Sequence, residues 1–179
     1  MSELLVPALD GIGAVFHRAD KSRIKVGSRP LQEMLRYRQL EEAEPEAGGV
    51  LLGRLIEGTG EVVIDEVTGP TRRDRRWRFG FFRARSGAQR RIRTAWVESQ
   101  QTRNYLGEWH THPEDHPAPS NVDLTNWARI VAESRYEQES LIFLIVGRKS
   151  VGAWELQKGR DAPVPLECGS GPDPEAPED

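Results

Sequence analysis

The residues that most clearly indicate catalysis are two histidines and an aspartate in the stretch 107–123. This stretch reads Gly-Glu-Trp-His-Thr-His-Pro-Glu-Asp-His-Pro-Ala-Pro-Ser-Asn-Val-Asp. His110 and His112 are two positions apart, so on an extended strand both imidazoles point to the same side. The ten residues between His112 and Asp123 include three prolines, which would bend the chain and return a carboxylate to the histidines. Two neutral imidazoles and one carboxylate form the ligand set of a catalytic zinc site that keeps a position open for water. The stretch therefore predicts a hydrolytic centre with one zinc ion per chain.

Ser120 supports two compatible interpretations. Ser-x-x-Asp ahead of an apolar-periodic segment is the capping-box pattern of a helix start, with Asp123 in place of the usual Glu or Gln. The Ser120 hydroxyl could also face the metal and stabilise the oxyanion of a tetrahedral intermediate. Both roles are possible if the cap lies beside the metal.

Two other polar residues near these ligands have less specific interpretations. His116 follows His112 by four positions, as two ligands on one helical face would, but Pro113 and Pro117 oppose a helix there. His116 is therefore predicted to be a loop residue above the site. Glu108 lies on the ligand-facing side by strand parity, where it either orients a histidine or is an ordinary exposed or ion-paired glutamate.

The spacing His-x-His, seven residues, Ser, two residues, Asp resembles the JAMM signature of the JAB/MPN metalloprotease family. That family also has a glutamate far upstream, at the start of a strand similar to Gly-Gly-Val-Leu-Leu-Gly. The stretch Glu-Ala-Gly-Gly-Val-Leu-Leu-Gly, which begins at Glu46, fits this description. The resemblance implies that Glu46 is the general base or acid rather than a metal ligand. On its own, Glu46 would be one of several glutamates on a solvated acidic face.

The resemblance is most specific to bacterial JAMM proteins of the integrative-element type, because of the phrase Tyr-Leu-Gly-Glu-Trp-His-Thr-His-Pro at 105–113. Such proteins occur beside E1-like and E2-like proteins in CBASS and related anti-phage operons. The resemblance implies a zinc isopeptidase or peptidase that cleaves after the tail of a ubiquitin-like protein, or removes a conjugate made by the E1/E2 pair. The conjugated target would be a cyclic-nucleotide synthase or a ubiquitin-like protein.

Two other functions remain open. A non-catalytic MPN-type module would bind partners without hydrolysis, although such modules usually lack part of the ligand set. A JAMM peptidase that processes the tail of a sulfur-carrier protein would keep the chemistry and change only the substrate. Zinc deaminases are excluded, because they require paired cysteines and Cys168 is the only cysteine.

The bulk properties are those of one globular domain. The chain has 179 residues, of which 37% are hydrophobic and 30% charged, and no apolar run reaches the ~20 residues of a membrane span. The first ten residues lack the basic start and apolar stretch of a signal peptide, so a cytoplasmic protein with no membrane partner is expected.

Hydrophobic periodicity predicts an alternation of helices and strands. We expect a mixed α/β (α+β) domain, with one curved mixed sheet flanked by helices, and the resemblance implies a JAB/MPN fold. The predicted helices are 30–42, 88–103 and 121–135, and the predicted strands are one or two short ones in 13–26, then 48–56, 61–67, 79–83, 104–110, 141–146 and 151–156.

The segment 72–93 contains ten arginines interleaved with aromatic residues, in a chain of net charge −3. It has three interpretations: a surface segment whose aromatics enter the core, a docking surface for an acidic partner, or, least favoured, a nucleic-acid interface. The second compositional change follows Lys158, where Gly, Pro, Asp and Glu dominate. Residues 1–158 are therefore predicted to be the metalloprotease domain and 159–179 a disordered acidic tail that could cover the basic segment.

Overall fold

A computed structural model describes residues 4–5 and 13–169 of the chain. The strands are β1 (Leu4–Leu5), β2 (Ala14–His17), β3 (Arg23–Val26), β4 (Gly48–Leu55), β5 (Val62–Val67), β6 (Arg75–Trp77), β7 (Gly80–Phe82), β8 (Asn104–Thr111), β9 (Ser140–Val146), β10 (Ser150–Gln157), β11 (Val164–Pro165) and β12 (Glu167–Cys168). The helices are α1 (Ser28–Leu35), α2 (Arg85–Glu98) and α3 (Asn121–Glu133). None of the helices in these ranges is long and apolar enough to cross a membrane.

The strands form one large mixed sheet and one small hairpin. The large sheet has the order β1-β10-β9-β8-β4-β5-β3-β2-β12, with β11 also paired to β10, and β6 and β7 form the hairpin. Most pairs are antiparallel, but β8 runs parallel to β9 and β3 parallel to β5. The predicted mixed α+β architecture is confirmed.

The sheet separates two hydrophobic cores, and its central strands contribute alternate residues to each. In β9, Ile142, Leu144 and Val146 pack into the core that contains α1, whereas Phe143 and Ile145 pack into the core that contains α2 and α3. Because successive side chains of a strand point to opposite faces, a strand covered on both faces must be apolar throughout. This accounts for the continuous apolar run of β9.

A β-bulge at Gly107 in β8 sets the direction of the site residues. The β4–β8 register shifts between Leu51 and Leu52, so that Leu51 pairs with Gly107 and Leu52 with Tyr105. Gly107 has φ 144, and a Cβ there would lie 1.8 Å from the carbonyl oxygen of Ile142. A bulge adds one residue to the strand and so shifts the alternation of side chains by one position. Each residue after Gly107 therefore points to the face opposite the one it would occupy in a strand without the bulge.

The end of the described chain closes the sheet. The segment 164–168 pairs with β10 through β11 and with β2 through β12, so it joins strands from the two sides of the sheet. Leu166, between the two short strands, is 8% exposed in the core, and its amide donates to the carbonyl of Ala153 at 2.9 Å. Arg18, after β2, and Glu155 on β10 form an ion pair at 2.8 Å across the same junction.

The prediction of a disordered tail from residue 159 is therefore wrong for 164–168. A composition rich in Gly, Pro and acidic residues favours disorder, but one buried leucine and two short backbone pairings are enough to fix this segment to a preformed sheet. The predicted disorder of 170–179 falls outside the described residues.

The helix boundaries differ from the predictions at their ends. The first helix ends at Leu35 rather than at residue 42, because the side chain of Gln39 turns inward and donates to the carbonyls of Glu44 and Arg78. The second helix spans Arg85–Glu98 rather than 88–103, and Gln100 and Gln101, with φ 55 and 68, end it. Strand β6 was not predicted, since its arginine-rich sequence lacks an apolar alternation.

Candidate metal centre

The two histidines lie at the end of β8, on the face covered by α3. Gly48 of β4 pairs with His110 in antiparallel register, so Glu46, two residues earlier, lies opposite His112. Trp109 points to the other face, where it is 1% exposed and its indole N–H donates to the carbonyl of Thr68 at 2.9 Å. The alternation of the strand thus places both imidazoles on one face and the buried Trp109 side chain on the other, as expected for alternating residues of a strand.

Three side chains converge as a possible metal-binding group. The Nε2 atoms of His110 and His112 are 3.0 Å apart. Asp123 lies 3.2 Å from the His110 nitrogen through Oδ1 and 3.3 Å from the His112 nitrogen through Oδ2. Ligand atoms on a tetrahedral zinc ion, at about 2.0–2.1 Å from the metal, are about 3.3 Å from each other. One donor atom from each of the three side chains lies within 4.8 Å of the other two, close enough to share one metal ion, and imidazole nitrogen and carboxylate oxygen are donors that zinc accepts.

The first turn of α3 holds the aspartate in place. Ser120 is the N-cap: its hydroxyl accepts a hydrogen bond from the Asp123 amide at 3.2 Å, and its own amide donates to Asp123 Oδ2 at 2.7 Å. This is the capping box that the sequence predicts, with aspartate in the place of glutamate. The Ser120 hydroxyl also donates to Asp123 Oδ2 at 2.6 Å, so in this structure it orients the carboxylate.

Hydrogen bonding and burial bias the charge states of this group. Burial raises the pKa of Asp123, but hydrogen bonds from His110 and His112 outweigh it and keep the pKa well below its usual range. Burial lowers the pKa of His112, whereas the hydrogen bond to Asp123 and the surrounding carboxylates raise it, and the net direction is upward. Asp123 is therefore an anion at neutral pH, which suits a ligand for a divalent cation.

Glu46 lines the same cavity as His110, His112 and Asp123 and is 6% exposed. Burial raises its pKa to about 8, with opposing contributions from His112 and Asp123. Its main chain is held on both sides: the Glu46 amide donates to the carbonyl of Trp77 at 2.8 Å, and Arg76 Nε donates to the Glu46 carbonyl at 2.7 Å. A buried carboxyl group with a pKa near neutrality can take up and release a proton under physiological conditions.

A buried polar network connects the Glu46 loop to the histidine strand. The Thr111 hydroxyl accepts from the Ala47 amide at 2.9 Å and donates to Gln39 Oε1 at 3.1 Å. Thr111 is 0% and Gln39 1% exposed. Neither Thr111 nor Arg76 was identified from the sequence. The one available signal was the alternation of β8, which points Thr111 to the face opposite His110 and His112.

The remaining polar residues of the motif have distinct positions. Glu108 pairs with Arg83 and accepts a hydrogen bond from Tyr105 Oη at 3.3 Å, so of its two interpretations the structure shows the ion-paired one. His116 Nδ1 lies 3.1 Å from Ser150 Oγ and is not in the metal-binding group. Glu114, which sequence analysis did not single out, places Oε2 3.6 Å from His112 Nδ1.

The candidate centre opens into a large cavity of about 1200 Å³. One wall is the β6–β7 hairpin with exposed aromatic side chains, including Phe79 at 71% and Trp77 at 47%. The opposite wall is α3, which contributes Val122 and Asn126. This volume exceeds the range of about 300–1000 Å³ that is usual for small-molecule pockets.

The chain matches a family model described as prokaryotic homologs of the JAB domain, over residues 28–157. The protein belongs to this family. The resemblance to JAB/MPN proteins, drawn from five positions of the sequence, is thereby confirmed. This JAB-family match spans every residue described above as part of the candidate centre.

Two curated relatives of this JAB-family chain carry the name CD-NTase/cGAS isopeptidase. One, from Pseudomonas aeruginosa, is 40% identical over 121 residues, which are 68% of this chain and 75% of that protein. The other, from Vibrio cholerae serotype O1, is 35% identical over 154 residues, which are 86% of this chain and 93% of that protein.

A solved structure supports the fold independently. A protein from Desulfitobacterium hafniense, known from a solution structure, matches with a TM-score of 0.52 and 23% identity, over 79% of this chain and 88% of that one. At this identity the likeness concerns the fold alone. It agrees with the mixed sheet and flanking helices of the JAB-family chain.

Proposed function

We propose that this protein is a zinc-dependent isopeptidase, with one zinc ion per chain, that removes a protein conjugate from its target. The observation that carries the proposal is the convergence of His110, His112 and Asp123 beside the buried Glu46 in one open cavity. The names of the relatives support a CD-NTase as the conjugated target. We further propose that E1-like and E2-like proteins make the conjugate and that the system serves antiviral defence.

The three ligands would hold the zinc ion, which when bound supplies Lewis acidity to a water and to the scissile carbonyl. Glu46 in its ionised form accepts a proton from that water as the oxygen forms a bond to the carbonyl carbon. When the carbon–nitrogen bond breaks, Glu46 returns the proton to the departing lysine amine.

Ser120 has a proposed second role. Its hydroxyl lies at the cavity wall and donates to Asp123 in this structure. Rotation of the hydroxyl would redirect its proton toward an oxyanion at the reacting carbon, while its amide continues to hold Asp123. The capping role and the catalytic role are therefore compatible.

The test is hydrolysis of a CD-NTase conjugate by the zinc-loaded protein, with Glu46→Gln and Glu44→Gln compared at equal zinc content. Glu44 lies in the same loop, and among the described residues its carboxylate accepts only from the exposed Glu41 amide. Glu44→Gln therefore makes the same chemical change at a residue that does not line the cavity. We expect Glu46→Gln to lose about 100-fold or more in kcat and Glu44→Gln to stay near wild type.

Two results would redirect the proposal. If the zinc-loaded wild type hydrolyses no conjugate and no ubiquitin-like fusion, the protein is a binding module of the MPN type. If it cleaves only a sulfur-carrier fusion, the chemistry holds and the assigned substrate is wrong.

A further inference from the structure

A second, smaller cavity of about 270 Å³ continues the large one away from the metal ligands. The two cavities share Gln89, Ile92, Tyr105 and Arg135, so they form one groove. None of the three ligands lines the smaller cavity. It is formed by α2, by the start of β8 and by the residues that follow α3.

The arginines around this groove differ in their partners. Among the described residues, six arginines line the two cavities, and three of them pair with acidic residues: Arg83 with Glu108, Arg85 with Glu133, and Arg103 with Asp65 and Glu66. Arg129, in the larger cavity, donates instead to Asn126 Oδ1 at 3.3 Å. Arg93 and Arg135 both line the smaller cavity, and neither has an acidic partner in the described part of the chain. These two side chains are therefore available for an external anion.

The same cavity presents apolar surface next to the two cations. Trp96 of α2 is 41% exposed, and Ile92 is half-buried beside it. Gln138 is fixed on the opposite side, since its Nε2 donates to the carbonyl of Tyr105 at 2.7 Å. Arginine and tryptophan side chains at one concave site are typical of the anchoring residues of protein interfaces.

We infer that this smaller cavity binds an acidic segment of the substrate protein, at a distance from the bond that is cut. The inference rests on the proposed function, because it takes the occupant of the groove to be the conjugated protein. Arg93 and Arg135 would pair with carboxylates of the segment, and an apolar residue between them would pack on Trp96. The cavity thus supplies selectivity for the target, separately from the chemistry.

The acidic residues of the groove favour a polypeptide over a nucleic acid. Glu137 lines the smaller cavity, and Glu108 and Glu133 line the larger one. Glu108 and Glu133 are paired with arginines, but a continuous phosphate backbone in the smaller cavity would lie against the like charge of Glu137. A polypeptide can instead place its carboxylates only where the arginines lie.

The first experiment measures binding without catalysis. The probes are a fluorescein-labelled peptide of alternating Glu and Ala, its Lys–Ala counterpart and a single-stranded oligothymidine, each titrated with the zinc-loaded protein by fluorescence anisotropy. Arg93→Glu and Arg135→Glu are compared with Arg90→Glu, which reverses an exposed arginine of α2 that lines neither cavity. Zinc content and melting temperature are matched among the variants.

We expect the Glu–Ala peptide to bind and its Kd to rise about fivefold or more in Arg93→Glu and Arg135→Glu, but not in Arg90→Glu. Added salt should weaken this binding, as expected for exposed charges. If all three substitutions raise the Kd equally, the peptide binds through the overall charge of the protein rather than through the smaller cavity, and the inference is overturned. Tighter binding of oligothymidine that is lost in the same two variants would overturn it in favour of a nucleic-acid site.

The second experiment separates this inference from the proposed function. With a cleavable conjugate, Arg93→Glu should raise KM and leave kcat unchanged, because it removes binding remote from the reacting bond. A wild type that cleaves, together with an Arg93→Glu variant whose KM equals that of Arg90→Glu, would refute the subsite alone. A wild type that cleaves nothing would refute the proposed function.

Discussion

Replacement of Thr111 by valine tests whether the Glu46 loop is fixed to the histidine strand by a single hydroxyl. Valine has nearly the same shape as threonine but can neither accept from the Ala47 amide nor donate to Gln39 Oε1. Gln39 cannot turn to another partner without loss, because its Nε2 already donates to the carbonyls of Glu44 and Arg78 at 3.0 and 2.8 Å. The substitution therefore leaves one donor and one acceptor unpaired in the interior.

The magnitude follows from the burial of these groups. A buried polar group without a partner costs about 1–3 kcal/mol, so two such groups should lower the free energy of unfolding by roughly 2–6 kcal/mol. Thr111→Ser is the matched control, since it keeps the hydroxyl and removes one methyl, for about 1 kcal/mol. Urea unfolding of the metal-free proteins measures both values without a contribution from bound zinc.

The same pair of variants tests the connection to the site. Thr111→Val should also lower kcat more than Thr111→Ser at equal zinc content, because Ala47 is the neighbour of Glu46. If Thr111→Val is no less stable than Thr111→Ser, the hydroxyl network does not hold the loop. Glu46 would then be held in place by contacts other than the Thr111 hydroxyl.

Three further predictions concern pH, backbone and metal. In the metal-free protein the pKa of Glu46 is raised to about 8, so the folded state keeps a proton that the unfolded chain loses. The free energy of unfolding should therefore fall by up to about 5 kcal/mol as the pH rises from about 4.5 to 8. Glu46→Gln should remove this part of the decline when urea unfolding is measured across that pH range. Gly107→Ala should lower the free energy of unfolding by about 3 kcal/mol or more, because Gly107 has φ 144° and a Cβ there would lie 1.8 Å from a carbonyl oxygen. Gly58→Ala, whose Cβ would meet nothing within 4 Å, should lose only about 1 kcal/mol in the same urea assay. Similar losses in the two variants would contradict the close approach at Gly107. Asp123→Asn should weaken zinc binding at least about 100-fold in a chelator competition. Helix α3 should remain folded by circular dichroism, because the asparagine oxygen can still accept a hydrogen bond from the Ser120 amide. Unchanged zinc affinity would exclude Asp123 as a ligand.

The convergence of His110, His112 and Asp123 could be predicted from the sequence because the geometry that directs each side chain is local. Two histidines on one strand and a capped aspartate at a helix start need only the alternation of a strand and the first turn of a helix to define their directions. Ser120 was predicted as the cap for the same reason. The long strands and helices were also predicted, since apolar periodicity marks any element with a buried face.

The remaining features depend on contacts between distant parts of the chain. The anchoring of Glu46 by Arg76, 30 residues away, has no signal in either local sequence. The early end of α1 follows from the inward turn of Gln39, and the order of 164–168 follows from one leucine that fits a preformed core. Such contacts override local propensity, and one sequence cannot reveal them.

The closure of the sheet by β12 also constrains when the protein can finish folding during synthesis. The strand pairs Glu167 with His17 and Cys168 with Phe16, so residues from opposite ends of the described chain must meet. Because the entropy cost of loop closure grows with loop length, such distant pairings form late in folding. One edge of β2 therefore stays unpaired until almost the whole domain has left the ribosome. Until then, the nascent chain exposes unpaired backbone that can join another chain. Slow elongation through residues 164–168, or chaperone binding to β2, would therefore change how long this strand edge stays unpaired.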